Sequence, residues 1–169
     1  MRKSLLALAA LLVAGAAHAE TVPFFVHGVA LGQTLPVVCT DSTTVPCVSG
    51  RIGLVGHVDA YVISQLAPVG SGGETTAIVG VDNAGKVRVV LSSVGPAVDE
   101  LDRARDSVSL LYGAPTVEGD RFADWNAKDS VLGVSHRSSY VNVAYAYDDA
   151  FAPAALDLLN LAFPQGPQD

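Results

Sequence analysis

Hydrophobic positions along this chain switch between a two-residue and a three-to-four-residue repeat. Val55 to Gln65 is rich in β-branched and aromatic residues, which predicts a strand. Thr76 to Val81 and Lys86 to Ser92 are further β-rich runs. The Asp82-Asn83-Ala84-Gly85 between them has turn chemistry, so the pair predicts a hairpin. In its second arm, Val87, Val89 and Leu91 are expected on one face and Lys86, Arg88 and Val90 on the other. The period then lengthens. Val98, Leu101, Ala104, Val108, Leu111 and Tyr112 predict a helix over 97–112 that buries Leu101, Val108 and Leu111, with Trp125 nearby. Pro96 suits its first turn, and Asp99, Glu100 and Asp102 complement its positive end. Gly113 fits the position after the helix, and Pro115 prevents continuation. Alternation returns in Arg121–Asn126, Val131–His136 and Ser139–Tyr147. In the last run Val141, Val143, Tyr145 and Tyr147 face one way and Tyr140, Asn142, Ala144 and Ala146 the other, as in a half-exposed antiparallel strand. A final helix bears Phe151, Leu156, Leu159 and Phe163, with Asp148 or Asp149 as its cap and Pro164 at its end.

The amino-terminal part reads differently. Pro23 to Leu35 suggests a short strand, a glycine-bounded turn and a one- or two-turn helix near Gln33 or Thr34. Before it, Arg2 and Lys3 precede an apolar run from Leu5 to Ala17, and Ala17-His18-Ala19 has the small-x-small form of a cleavage site. Residues 1–19 are thus expected to be a signal peptide, cut after Ala19. The run is too short to span a bilayer, and no cysteine stands at the cut to take a lipid. The expected destination is the periplasm, or the exterior by secretion. Removing 19 residues from 169 leaves 150, enough for one domain over 20–163 with a flexible tail at 164–169. The element order makes this an α+β fold, an antiparallel sheet packed on helices. It is compatible with two α-β-β-β units, in halves 23–93 and 95–148, plus a carboxy-terminal helix.

Composition narrows the partners. All 17 acids lie after the leader and two of the 10 bases lie within it, so the mature chain carries −9. Such a charge disfavours nucleic acid and anionic membrane surfaces. Cys39 and Cys47 are the only cysteines, and in an oxidising compartment they are expected to form a structural disulfide across the turn-rich TDSTTVP loop.

Two segments carry a resemblance. Gly28-Val29-Ala30-Leu31-Gly32-Gln33-Thr34-Leu35 is similar to the G-(I/V)-x-L-G-x-(T/S) opening of small envelope proteins. Leu110-Leu111-Tyr112-Gly113-Ala114-Pro115-Thr116, followed by Trp125, resembles their L-x-x-(K/R)-(Y/F)-G-x-P-T…W pattern, without the basic residue before Tyr112. Uncharacterised exported proteobacterial proteins share this pair, and the order of elements resembles the fold of BamE and of the beta-lactamase inhibitor protein. The resemblance implies protein binding without catalysis. Its motif residues are structural, so it assigns no functional residue.

The candidate chemistry is sparse. His27, His57 and His136 are the histidines after the leader, and His57-x-Asp59 could orient a base or hold a metal. Neither H-E-x-x-H nor a Cys/His cluster accompanies them, so no metal or other cofactor is expected. Gly70-Ser71-Gly72-Gly73 lacks the G-x-S-x-G elbow and reads as a flexible connection. Glu118, Asp120, Asp124 and Asp129 match no EF-hand spacing. Tyrosines 140, 145 and 147 suit either a recognition face or half-buried packing against a helix, the commoner arrangement. The reading is a non-catalytic periplasmic interaction module that binds another envelope protein through Tyr140, Asn142 and His136. The alternatives are a small hydrolase using His57 or His136, and a carrier for an apolar ligand in an enclosed cavity.

Overall fold

A computed structural model describes residues 24–66, 75–95, 98–138 and 141–165. Residues 1–23, with the expected signal peptide, the Gly70–Gly73 connection, Pro96, Tyr140 and residues 166–169 lie outside these ranges. The chain folds as α+β, dominated by strands. Phe25–Val26 (β1) and Val29–Ala30 (β2) form a small hairpin. The large sheet contains Cys47–Val55 (β3), Val58–Leu66 (β4), Thr75–Val81 (β5), Val87–Gly95 (β6), Val117–Gly119 (β7), Phe122–Asn126 (β8), Ser130–Ser138 (β9) and Val141–Asp148 (β10). Its order is β3-β4-β5-β6-β10-β9-β8-β7, antiparallel throughout. Helix α1 spans Val98–Tyr112, and α2 spans Ala152–Ala162 after a short 3-10 turn. Each helix therefore follows a meander of four strands, and the two meanders meet at the β6–β10 seam. Strands precede helices here, in place of the expected α-β-β-β order.

The helices lie on opposite sides of the sheet. On the α1 side, Leu101 packs with Ile63, Val79, Val90, Trp125, Leu132, Val134, Ala144 and Ala146, and the β1–β2 hairpin adds Phe24, Val26 and Val29. On the α2 side, Ala154, Ala155 and Leu158 pack with Val58, Ala60, Val89 and Leu91. Burying a side chain such as Leu101 contributes about 1.5–3 kcal/mol. Gly80 permits the close approach of α2, because a Cβ there would lie 2.7 Å from Val58 Cγ2 and 3.2 Å from Leu158 Cδ1.

Local chemistry fixes the element ends. Asp82 Oδ1 accepts from the Ala84 and Lys86 amides at 2.9 Å each, and Gly85 takes φ +73°, so the β5–β6 turn is built as its sequence suggests. Gly113 stands at φ +83°, and its amide donates to Ser109 O at 2.9 Å, which closes α1. Trp125 is buried, and its Nε1 donates to Gly113 O at 2.8 Å, tying β8 to the end of α1. Cys39 and Cys47 form a disulfide. It holds Val37–Cys39 against the outer edge of β3, where Val48 N donates to Val37 O at 2.8 Å and Cys39 N to Val48 O at 2.9 Å. No helix among the described residues is long and apolar enough to cross a membrane.

Several expectations are corrected. Residues 31–38 form no helix; Thr34 instead makes an isolated bridge to Lys86. Leu111 is 65% exposed, because the last turn of α1 turns Tyr112 inward against Phe24, with ring centroids 5.0 Å apart. Val87 packs on the α1 side, apart from Val89, because the register shifts between Gly80 and Val81 and inserts an extra residue opposite them. Asp148 stands at the N-cap position of the 3-10 turn and Asp149 in its first turn, but the Asp148 side chain makes no capping bond. It pairs with Arg88 Nη1 at 2.8 Å, and α2 begins after Phe151 without a side-chain cap. The buried stripe of α2 is Ala154, Ala155 and Leu158, while Leu156 is exposed.

Candidate functional site

The recognition face expected around Asn142 is closed. Asn142 is fully buried on the α1 side, and its Oδ1 lies 2.7 Å from His136 Nδ1. The alternation along β10 is as expected, but α1 and the hairpin cover the side that carries Asn142, Ala144 and Ala146. Asn142 and His136 are thus a polar pair inside the packing, and the former cannot meet a partner protein in this fold.

Among the described residues, the region left uncovered is the other side of the same strands. Cross-strand register aligns Val117, Asp124, Gly133 and Tyr145 across β7, β8, β9 and β10. Asn126, Val131 and Tyr147 form the neighbouring row, and Gly119, Phe122 and Ser135 the next. Helix α2 packs on β3, β5, β6 and β10, so Tyr145 and Tyr147 stand at the boundary of its cover. Beyond that boundary Val117 is 47% exposed, Asn126 is exposed, and Phe122, Asp124 and Val131 are half-buried.

Glycines shape this surface. A Cβ at Gly133 would overlap both Asp124 Oδ1 and the Tyr145 ring, so the bare backbone allows that ring to reach across β9. The Tyr145 hydroxyl then donates to Asp124 Oδ1 at 2.5 Å. Gly119 repeats the device, since a Cβ there would come 2.6 Å from Phe122 Cε1. Tyr147 stacks on Tyr145 with centroids 6.3 Å apart and planes 18° from parallel. Arg137 is buried beside them, donating from Nη2 to Asn160 Oδ1 at 2.8 Å and from Nε to Phe163 O at 3.2 Å, which fastens the end of α2.

Electrostatics commits these groups to structure and contact. Burial raises the Asp124 carboxyl above its ordinary range, opposed by the hydrogen bond from Tyr145. Burial foremost, then the bond to Asp124, pushes the Tyr145 hydroxyl far above its ordinary value. Tyr145 therefore stays a neutral donor. Burial, then the Asp124 and Asp149 charges, raises the Tyr147 hydroxyl as well.

The other candidates are dispersed. His57 is exposed in the β3–β4 turn, and Asp59 is engaged by Arg51 Nη2 at 2.6 Å. His27 sits in the β1–β2 turn at φ +49° with Nε2 buried and without a hydrogen-bond partner among the described residues, and burial lowers its pKa. Glu118 pairs with Arg105 of α1 at 3.3 Å, on the side of the sheet opposite Asp124. Among the described residues no three His, Cys, Asp or Glu side chains converge as metal ligands. The Gly119–Phe122 and Gly133–Tyr145 pairs escape sequence reasoning. Their only signal is a glycine inside each alternating run.

Compared with known protein families, curated proteins and solved structures, the chain matches none.

Proposed function

We propose that this protein is a non-catalytic binding module of the bacterial envelope, and that it docks a partner protein on the open side of β7–β10. One observation carries the reading. Val117, Phe122, Val131, Tyr145 and Tyr147 form an apolar and aromatic surface on one side of the sheet, whereas the opposite side of β8–β10 is packed under α1. Tyrosine gives such a surface contact area at low entropic cost, together with hydrogen-bonding capacity. The signal-like amino terminus and the disulfide support an extracytoplasmic setting. A hydrolase has less support, because Asp59, the acid nearest His57 in sequence, is held by Arg51, and His136 faces an amide.

A photo-crosslinking amino acid placed at Val117, and in a second variant at Leu156 on the outer side of α2, tests the docking surface in intact cells. Val117 is expected to give a discrete adduct that Tyr147→Ala abolishes, with Leu156 giving none. Equal labelling from both positions, or an adduct indifferent to Tyr147→Ala, refutes the placement.

A further inference from the structure

Resting on that docking surface, we propose that it receives an arginine side chain of a partner protein segment, stacked on Tyr147 and paired with the carboxylates of Asp124 and Asp149. The charges around the surface decide the sign. The β7–β8 turn carries Asp120 beside Arg121 and the β8–β9 turn carries Lys128 beside Asp129, so each turn cancels itself. Arg137 bonds only the neutral Asn160 amide and Phe163 carbonyl and keeps its charge, so the two carboxylates Asp124 and Asp149 stand against one buried guanidinium and the balance stays negative. Neither Asp124 nor Asp149 makes a salt bridge among the described residues. Asp124 Oδ1 accepts from Tyr145, and its Oδ2 makes no hydrogen bond among the described residues. Asp149 is exposed directly after β10, two residues from Tyr147, where its amide donates to Asp129 O at 2.9 Å.

A half-buried carboxylate beside an aromatic face favours a cation. Arginine fits better than lysine, because its planar guanidinium stacks on a ring while its edge donates to carboxylate. Arg88 is a precedent within this molecule. Its guanidinium lies 5.7 Å from the Phe151 ring centroid and pairs with Asp82 at 2.7 Å and Asp148 at 2.8 Å. The mature charge of −9 draws a basic segment in the same direction.

The test uses the isotope-labelled, oxidised mature chain and a capped glycine-rich peptide bearing one arginine, beside a twin with neutral citrulline. The arginine peptide is expected to shift the backbone amide signals of Gly133 and Tyr147, with the twin at least about five-fold weaker. Asp149→Asn is expected to weaken binding about two- to five-fold, in the range of an exposed ion pair. Asp124→Asn, which keeps an acceptor for Tyr145, should also weaken it, and the retained dispersion of each variant's amide spectrum checks the fold. Equal binding of the two peptides, absence of binding, or binding unmoved by both substitutions overturns the arginine proposal. If the Val117 adduct still forms and survives Asp149→Asn and high salt, the docking surface stands without it. If Val117 gives no specific adduct, the docking surface itself fails.

Discussion

Gly133→Ala tests whether the Tyr145–Asp124 lock depends on a missing side chain. The new Cβ overlaps Asp124 Oδ1 and the Tyr145 ring together, so neither neighbour can relieve the overlap by moving toward the other. Relief requires the ring to lift off β9, which parts the Tyr145 hydroxyl from Asp124 Oδ1, now 2.5 Å away. Overpacking of this kind costs about 1–3 kcal/mol. Losing a hydrogen bond to a charged acceptor adds about 1.5–3 kcal/mol. The two overlap in origin, and the expected destabilisation is about 2–5 kcal/mol. Urea unfolding of the oxidised chain measures it, provided the slope is unchanged. A cycle with Tyr145→Phe separates the parts. Phenylalanine keeps the ring and removes only the hydroxyl. It should cost about 1.5–3 kcal/mol in the parent and near zero in the Gly133→Ala background, where the bond is already broken. A Gly133→Ala loss below about 1 kcal/mol, or a Tyr145→Phe cost equal in both backgrounds, refutes the reasoning.

Two carboxylates should give opposite pH dependence. The Asp82 pKa is lowered by the Lys86 amide and by Arg88, so its stabilisation is present above the unfolded value of 3.8 and lost as pH falls through the folded value. The Asp124 pKa is raised by burial, so its contribution is greatest below 3.8 and is lost as pH rises through the folded value. Carboxyl carbon titration by NMR, with stability curves of Asp82→Asn and Asp124→Asn, should separate the two signs. Leu101→Ala should cost about 2–5 kcal/mol, whereas Leu111→Ala, at a 65% exposed site, should stay within about 0.5 kcal/mol; equal effects would contradict the orientation of α1. Replacing both cysteines by serine should lower stability by about 2–3 kcal/mol and speed hydrogen exchange at the Val48 and Cys39 amides, whose bonds the disulfide secures. Unchanged exchange would mean that the Val37–Cys39 segment holds its place without the bond.

Elements with strong local signals are legible in the sequence. The Asp82–Gly85 turn, the Gly113–Pro115 stop and the periodic stretch of α1 each follow from residues whose backbone preference decides the outcome. The strand β3 escapes because register shifts at Gly50 and Gly53 interrupt its alternation, and Gly53 stands at φ +125°. The strand β7 is only three residues long and stays in register by pairing with β8, which no local pattern encodes. The face of α2 is misread because alanines, beside a single leucine, make its buried stripe. The candidate surface is missed for a similar reason. Alternation along β10 separates its two sides correctly, but only the tertiary path of α1 and the hairpin decides which side is sealed.

The seam between β6 and β10 joins the strands most distant in sequence within the sheet's middle. Strands β5 and β6 close across the short turn at Asp82–Gly85. Tyr147, by contrast, meets Val89 only after α1 and three strands of the second meander have been laid down. Closing so long a loop costs entropy before any contact offsets it. Pulse-labelled hydrogen exchange during refolding checks the order expected on that ground: each meander forms first from neighbouring strands, and the meeting of β6 with β10 comes later. Until it happens, both halves expose an unpaired edge at what becomes the middle of the sheet. The fold is most vulnerable to pairing with another copy of itself at its eventual centre.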